Sequence, residues 1–318
     1  SIGVTLFSGH KETIGELLKQ ADIAMYQSKN TGRNTLTFFD PAMQKAITYR
    51  VAMEEELRNA IKEKQLQLYY QIQVNSSGQA LGAEALIRWL HPERGIIPPF
   101  DFIPLAEETG LIIPVGEWVL DNGCAQLKVW QSNPETQDLI LAVNVSSKQF
   151  HQKNFVQQVK ATVQRHDINP ARLKLELTES ILVANISDMI SKMNALSKMG
   201  ISFSLDDFGT GYSSLQYLKK LPLNQLKIDR SFVRDLVTDD SDKAIIRTII
   251  TMAHSLGMSV IAEGVETVEQ RSYLLDNGCM YYQGYLFSKP VPIEEFEALL
   301  KKGSGVFPIA PSLKMSIT

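Results

Sequence analysis

The run Gly82-Ala83-Glu84-Ala85-Leu86-Ile87-Arg88-Trp89 sets a carboxylate and a guanidinium four residues apart in an otherwise apolar segment. On a strand of period two, Glu84, Leu86 and Arg88 share one face, so a metal-seeking carboxylate and an anion-seeking cation would meet a metal-bound phosphate ester together. Taken alone the pair also fits a plain ion pair across the strand face. Further polar residues close other apolar segments: Asn144, Glu176 with Glu179, Asp206 with Asp207, Lys227 with Asp229, Glu263 with Glu266, and Gln283. Singly, Asp207 could cap a helix, Asn144 could hold a turn and Lys227 could pair with Asp229. Gathered into one mouth, the carboxylates would repel one another unless divalent cations neutralised them. Oxygen ligands without His or Cys favour hard cations, magnesium or manganese, over zinc. The adjacent pair Asp206-Asp207 suits a two-metal site, in which one carboxylate bridges both ions and the clamp spans the attacking and leaving oxygens of a phosphoryl displacement. The expected chemistry is phosphodiester hydrolysis.

The pair opens the stretch Asp206-Asp207-Phe208-Gly209-Thr210-Gly211-Tyr212-Ser213-Ser214. Its two glycines predict a metal-positioning, gating loop, with a plain tight turn as the other reading. It lacks the Gly-Lys-Ser/Thr ending of a phosphate-cradling P-loop.

These residues can converge only if their elements place them at one end of a sheet. From Leu66 the pattern has period two: Leu66, Leu68, Tyr70, Ile72 and Val74 alternate with Gln67, Tyr69, Gln71 and Gln73. The turn cluster Asn75-Ser76-Ser77-Gly78 leads into a second strand from about Ala80 to Trp89. So short a connection makes the two strands antiparallel. Strands are then expected at Leu139–Val145, Leu173–Thr178, Ile201–Asp206, Gln225–Asp229, Met258–Ala262 and Cys279–Gln283. Helices separate them, one through Ile186, Met189, Ile190, Met193 and Leu196 to a stop at Gly200, another from Ala244 to Leu256 ending at Gly257. The predicted fold class is α/β, a (β/α)8 TIM-like barrel whose first strand is antiparallel, with an open doubly wound sheet as the competitor. In such a barrel the carboxyl ends of the strands share one mouth, which is where the polar residues above fall.

Residues 1–40 read as a strand over Ile2–Phe7, a helix over Thr13–Lys29, a turn at Thr31-Gly32-Arg33-Asn34 and a strand through Phe38-Phe39, too small a piece for its own core. Asp40-Pro41 is an N-cap followed by Pro at N1, and Met43, Ile47, Val51, Leu57 and Ile61 supply helical spacing for a linker helix. The expected organisation is a small α/β fragment over 1–40, a linker helix over 41–63, the barrel over 64–304 and a tail over 305–318. With 318 residues, 44% hydrophobic and 21% charged, the composition is that of an ordinary globular chain. A net charge of -3 argues against a general DNA-binding surface. Cys124 and Cys279, the only cysteines, form neither a disulfide framework nor a zinc spacing, which fits a cytoplasmic setting. No apolar run is long enough to span a bilayer. Starting at Ser1 within a strand, the chain is expected to be part of something longer, whose upstream segments could anchor it to a membrane.

From about Leu66 to Lys302 the chain resembles the EAL-domain phosphodiesterases that cleave the bacterial second messenger cyclic di-GMP. The resemblance rests on Glu84-Ala85-Leu86-Ile87-Arg88-Trp89, His91-Pro92-Glu93, Phe102-Ile103-Pro104-Leu105-Ala106-Glu107, Asn144-Val145-Ser146, Glu176-Leu177-Thr178-Glu179, Asp206-Asp207-Phe208-Gly209-Thr210-Gly211, Lys227-Ile228-Asp229, Glu263-Gly264-Val265-Glu266 and Gln283-Gly284-Tyr285, in order. It implies that Glu84, Asn144, Glu176 and Asp206 hold one metal and Asp206 with Asp207 the second. Lys227 would hold the attacking water or the phosphate, and Glu263 would act as general base or ligate the activated water. Glu179 would steady the Asp-Asp loop, and Glu266 would support the second metal through water. Gln71, Leu86, Arg88, Asp229 and Gln283 would contact the dinucleotide, and the product would be linear pGpG. The resemblance further implies a magnesium or manganese cofactor, inhibition by calcium, and a homodimer formed near the Asp206–Ser214 loop. Ile72 departs from the family's usual Pro after the glutamine of the first strand. Because no matched metal-ligand or base position is changed, an active enzyme is the main expectation; an inactive EAL domain serving as a cyclic di-GMP receptor or an interaction module is the alternative. Ser1-Ile2-Gly3-Val4-Thr5, Ala21-Asp22-Ile23-Ala24-Met25-Tyr26 and Gly32-Arg33-Asn34 resemble the closing part of a GGDEF diguanylate cyclase domain. The cyclase motif itself is absent, so cyclisation of GTP is not expected of this chain.

Overall fold

The computed structural model describes residues 1–9, 12–179, 181, 186–209 and 215–302. Residues Thr210 to Ser214 of the expected gating loop, and the expected tail, lie outside the described residues. The chain begins with two short parallel strands, β1 (Ile2–Val4) and β2 (Leu36–Phe38), beside helix α1 (Ile14–Asn30). Thr13 and Glu16 start α1 with a reciprocal capping box. Helix α2 (Pro41–Lys62) begins as expected, with Pro41 in the first turn and the Asp40 carboxylate accepting from the Ala42 N–H at 2.8 Å. Of the expected apolar positions Leu57 joins the core, with Met53 and Ala60 beside it, and Ile61 packs against it, while Val51 is 63% exposed. The fully buried residues of α2 lie in its second half, whereas Met43 and Ile47, nearer Asp40, are only partly covered.

The barrel starts with the hairpin of β3 (Leu66–Asn75) and β4 (Ala80–His91), paired antiparallel with Gln71 opposite Glu84. Next come β5 (Gly95–Ile97) and helices α3 (Pro99–Thr109) and α4 (Ile112–Gln131), then β6 (Ile140–Val145), α5 (Ser147–Phe150) and α6 (Phe155–His166). The alternation continues through β7 (Leu173–Thr178), α7 (Ile186–Ser197), β8 (Ser202–Phe208), α8 (Leu215–Leu218), β9 (Gln225–Ile228), α9 (Arg230–Arg234) and α10 (Asp240–Ser255). Strand β10 (Ser259–Ala262), α11 (Val268–Asp276), β11 (Tyr281–Gln283) and α12 (Ile293–Lys302) complete it. Strands β4 and β6 to β11 pair in parallel, and β3 closes the ring by pairing antiparallel with both β4 and β11. An open doubly wound sheet is thereby excluded. Each expected barrel strand forms within a residue or two of its expected limits. Strand β5 was not expected; it pairs antiparallel with β4 through Trp89 and Ile97 and lies outside the ring. The turn ending in Gly95, at φ +72°, makes that pairing possible.

Closure buries most positions on both faces of the ring strands. The outward residues Leu141 and Val143 of β6 pack beneath Gly123 of α4, whereas the inward residues are largely polar. Low in the barrel, the Lys174 ammonium of β7 donates to Gln225 Oε1 of β9 at 2.8 Å. That layer supports the mouth above it.

Candidate active site

Alternation along each strand carries the inward polar residues upward to the carboxyl ends, where one ammonium organises the mouth. Lys227 of β9 is fully buried, and its Nζ lies 2.5 Å from Glu176 Oε2, 2.5 Å from Glu263 Oε1, 3.2 Å from Asp206 Oδ1 and 3.4 Å from Glu84 Oε2. Glu84 comes from β4, Glu176 from β7, Asp206 from β8, and Glu263 follows β10 directly. Glu84 Oε1 accepts from Asn144 Nδ2 at 2.6 Å, and Glu84 Oε2 accepts from Gln283 Nε2 at 2.6 Å. Ser204 Oγ donates to Glu176 Oε1 at 3.2 Å. Sequence separations of up to 199 residues are thus collapsed into one cluster.

The charge balance is what distinguishes this mouth from an ordinary ion pair. Burial pushes Lys227 down, but Glu176, Glu263, Glu84 and Asp206 together hold it well above its usual value. Burial raises Glu176 to about 7, reinforced by Glu84 and Asp206 and opposed by Lys227. Burial likewise lifts Glu263 well above the carboxylate range, against the pull of Lys227. Glu84 goes the other way: burial raises it, but Lys227 and the amides of Gln283 and Asn144 outweigh burial and leave it below its ordinary value. One cation against four carboxylates leaves an excess of negative charge. Oxygen atoms of Glu84, Glu176 and Asp206 lie within 4.8 Å of one another, and Asn144 adds an amide beside them. This all-oxygen donor set with surplus negative charge fits a hard divalent cation.

The Asp206-Asp207 pair is parted by the backbone. A register shift in the pairing of β8 with β9 falls between Leu205 and Phe208, and Asp207 adopts φ +54°, the left-handed conformation that Asp tolerates better than most residues. Asp206 therefore joins Glu84 and Glu176, while the Asp207 carboxyl hydrogen-bonds Asp229. Burial, with repulsion from Asp206 and Asp229, raises Asp207 to about 6. Asp229 also starts α9 by accepting from the Ser231 N–H at 3.0 Å. Glu266 lines a cavity of about 620 Å³ together with Asp207, Asp229, Arg230 and Arg234. Glu179 Oε2 accepts from the Gly209 N–H at 3.3 Å, so it holds the residue that follows the Asp-Asp-Phe run.

Among the described residues Glu84 and Arg88 form no ion pair, which overturns the plainer reading of the opening motif. The Arg88 guanidinium, half-buried, instead donates to its neighbour's carbonyl, Ile87 O, at 2.8 Å and sits over the Tyr69 ring at 5.4 Å. Leu86 lines a separate cleft that reaches Asn144 and Asp206. Gln71 accepts from Gln283 Nε2 at 3.1 Å and donates to Ser288 O at 3.2 Å. Two contributors were missed at the sequence level. Gln73 donates to Gln283 Oε1 at 2.9 Å and so orients the amide that holds Glu84; Ser204 supports Glu176. The glutamine alternation of β3 was a usable signal for Gln73, because closure turns that polar face inward. A lone serine in a strand offers no such signal.

Residues 54–290 match the family model of the EAL domain, and residues 1–35 match that of the diguanylate cyclase GGDEF domain. The chain is 42% identical over 299 residues to the bifunctional diguanylate cyclase/cyclic di-GMP phosphodiesterase MucR of Pseudomonas aeruginosa, an alignment covering 94% of this chain and 44% of that protein. It is 41% identical over 315 residues to the cyclic di-GMP phosphodiesterase NbdA of the same organism, covering 99% of this chain and 40% of that one. The chain thus spans less than half the length of these curated relatives. A solved structure of the PaMucR phosphodiesterase in complex with c-di-GMP superposes with a TM-score of 0.75 at 43% identity, over 77% of this chain and 99% of that one. Among the described residues no helix is long and apolar enough to cross a membrane.

Proposed function

The chain belongs to the EAL-domain family, and we propose that it hydrolyses one phosphodiester bond of cyclic di-GMP to linear pGpG in a reaction that requires divalent metal. The observation that carries this reading is the buried mouth in which Lys227 faces Glu84, Glu176, Asp206 and Glu263. A domain that only binds the dinucleotide has no need of four buried carboxylates around one ammonium.

Glu84, Asn144, Glu176 and Asp206 would hold one magnesium or manganese ion, and Asp206 with Asp207 the second. When bound, such ions lower the pKa of water and offset the charge of the phosphate. Lys227 keeps its proton across the working pH range and offers an N–H to the attacking oxygen or the phosphate. Glu263, which burial lifts and Lys227 pulls back toward its ionised form, would accept the proton that the attacking water gives up. Asn144 and Gln283 hold both oxygens of Glu84, which fixes the plane of that carboxylate before any ligand arrives. Glu179 secures the backbone after the Asp-Asp pair, and Glu266 supports the Asp207 side of the mouth. Gln71, Leu86, Arg88, Asp229 and Gln283 would contact the dinucleotide. Calcium prefers more ligands at longer distances, so it is expected to occupy the site and inhibit. Self-association near Asp206–Ser214 belongs to the same reading, and sedimentation velocity tests it.

The deciding experiment incubates the purified chain with cyclic di-GMP in magnesium, in manganese, in calcium and in a chelator, and follows pGpG by anion-exchange chromatography. Product in magnesium or manganese, and none in calcium or chelator, is expected. Binding in magnesium without pGpG would make the chain a receptor and end the enzymatic reading.

A further inference from the structure

Three glutamines at the seam where the ring closes share one hydrogen-bonded patch beside Glu84. The seam is the antiparallel pairing of β3 with β11, in which Gln283 stands directly opposite Gln73. Gln71, Gln73, Gln283 and Glu84 are all buried, between 4% and 8% exposed. Gln283 is the centre of the patch: its Nε2 donates to Glu84 Oε2 at 2.6 Å and to Gln71 Oε1 at 3.1 Å, and its Oε1 accepts from Gln73 Nε2 at 2.9 Å. Gln71 in turn donates to Ser288 O at 3.2 Å. A carboxylate only accepts hydrogen bonds, so Glu84 claims the nitrogen end of Gln283. The oxygen end is left for Gln73 to hold.

The terminal torsion of a glutamine is broad, so contacts at one end of its amide do not fix the amide plane. Contacts at both ends do. Both hydrogens of Gln283 Nε2 are in use, and among the described residues Gln73 is the only donor to Gln283 Oε1. Without Gln73 that oxygen would be a buried acceptor lacking its partner, and the amide would be free to turn. Across the hairpin Gln73 faces Gly82, which has no side chain to take its place. Among the described residues Gln73 itself makes no hydrogen bond to any carboxylate of the mouth, so its influence on Glu84 passes through Gln283.

We propose that Gln73 is a positioning residue for the metal: it locks the Gln283 amide, and through that amide the plane of the Glu84 carboxylate, in the orientation that receives a divalent cation. The inference rests on the reading of Glu84 as a metal ligand and extends it to a residue that touches neither metal nor substrate. Hydrogen-bond partners behind a metal ligand govern metal affinity by about 10- to 100-fold. Gln73 stands one step farther out, and its share is about 10-fold, the lower end of that range.

The test titrates manganese into the metal-free chain, without dinucleotide, and reads free manganese by electron paramagnetic resonance. The parent, Gln73→Met, Gln283→Met and the double variant are compared. Met keeps the length of the side chain and removes the amide; circular dichroism establishes that each variant is folded, and Leu serves at either position where Met does not. Gln73→Met is expected to bind manganese about 10-fold more weakly. Gln283→Met is expected to lose at least as much, and the double variant no more than Gln283→Met alone, because two residues acting through one contact are not additive. A purely structural role would lower stability and leave manganese affinity where it was. Unchanged affinity in Gln73→Met would overturn the inference, as would losses in the two single variants that add in the double. A parent that binds no manganese would remove the metal reading itself, and this inference with it.

Discussion

Replacing Lys227 with Met removes the single ammonium facing Glu84, Glu176, Asp206 and Glu263 while keeping a side chain of similar length. Its contacts run from 2.5 to 3.4 Å. At such separations each pair is worth on the order of 5 kcal/mol with the effective dielectric that suits buried sites. Most of that sum is offset by the cost of desolvating the ammonium and by repulsion among the carboxylates. Removing one partner of a buried ionic cluster therefore costs a net of about 3–5 kcal/mol. The metal-free variant at pH 8 is expected to lose that much in urea unfolding followed by circular dichroism. At pH 5.5 the loss shrinks, because Glu176, already raised to about 7, and Glu263, raised by burial, take up protons instead of remaining as uncompensated charge. Magnesium also shrinks it, by restoring positive charge. Turnover of cyclic di-GMP is expected to fall on the order of 100- to 1,000-fold, the loss typical when one preorganised donor is removed. A variant as stable as the parent at pH 8, or equally destabilised at both pH values, would refute the claim that Lys227 balances this charge.

Three further outcomes follow from the same geometry. In the metal-free parent, Glu176 binds its proton more tightly when folded than when unfolded, so its contribution to stability is fully present below about pH 4.5 and is lost as pH rises through about 7, on the order of 3 kcal/mol in all. Thermal melts from pH 5 to 8 should show the midpoint falling and magnesium flattening the fall; a midpoint that rises with pH in the absence of metal would contradict the burial of Glu176 as a proton-binding group. Gly116→Ala should cost about 1–3 kcal/mol by driving a methyl group into Gln149 Oε1, and the added substitution Gln149→Ala should recover part of that cost. Strict additivity of the two costs in urea unfolding would show that the residues do not touch. Gly82→Ala should be worse, at least about 3 kcal/mol, because its methyl would meet the Ile140 carbonyl oxygen at 2.0 Å and backbone cannot move aside as a side chain can. An alanine variant that unfolds at the parent's urea concentration would refute the close approach of β4 to β6.

Much of the barrel was legible because its determinants are local. Strand-helix alternation, glycine stops after helices and a turn too short for a crossover point to a barrel with a reversed first strand, and the strands form close to their expected limits. The extra strand β5 escaped because three residues after a turn carry too little periodicity to distinguish a strand from a loop. Helix α2 was recognised by its cap and by Leu57 and Ile61, but Val51 of the same spacing is exposed. Which part of an amphipathic helix is covered depends on where its neighbours end, and spacing along one segment contains no such information.

What the sequence determined by itself is the donor chemistry: carboxylates, the amides of Asn144 and Gln283 and one lysine at the ends of strands, without His or Cys among them, point to hard cations and phosphate. Tertiary structure alone decided how those groups share charge. Glu84 and Arg88 occupy one strand face yet do not pair, because closure brings Asn144, Gln283 and Lys227 to Glu84 from strands far away in sequence. Asp206 and Asp207 are adjacent, yet a bulge and a left-handed backbone send one to the carboxylate cluster and the other to Asp229. The physical reason is the same in both cases. A residue's type sets what its side chain can bind, but Coulomb and hydrogen-bond energies depend on distance, and in a closed barrel those distances are set by strands from the whole length of the chain.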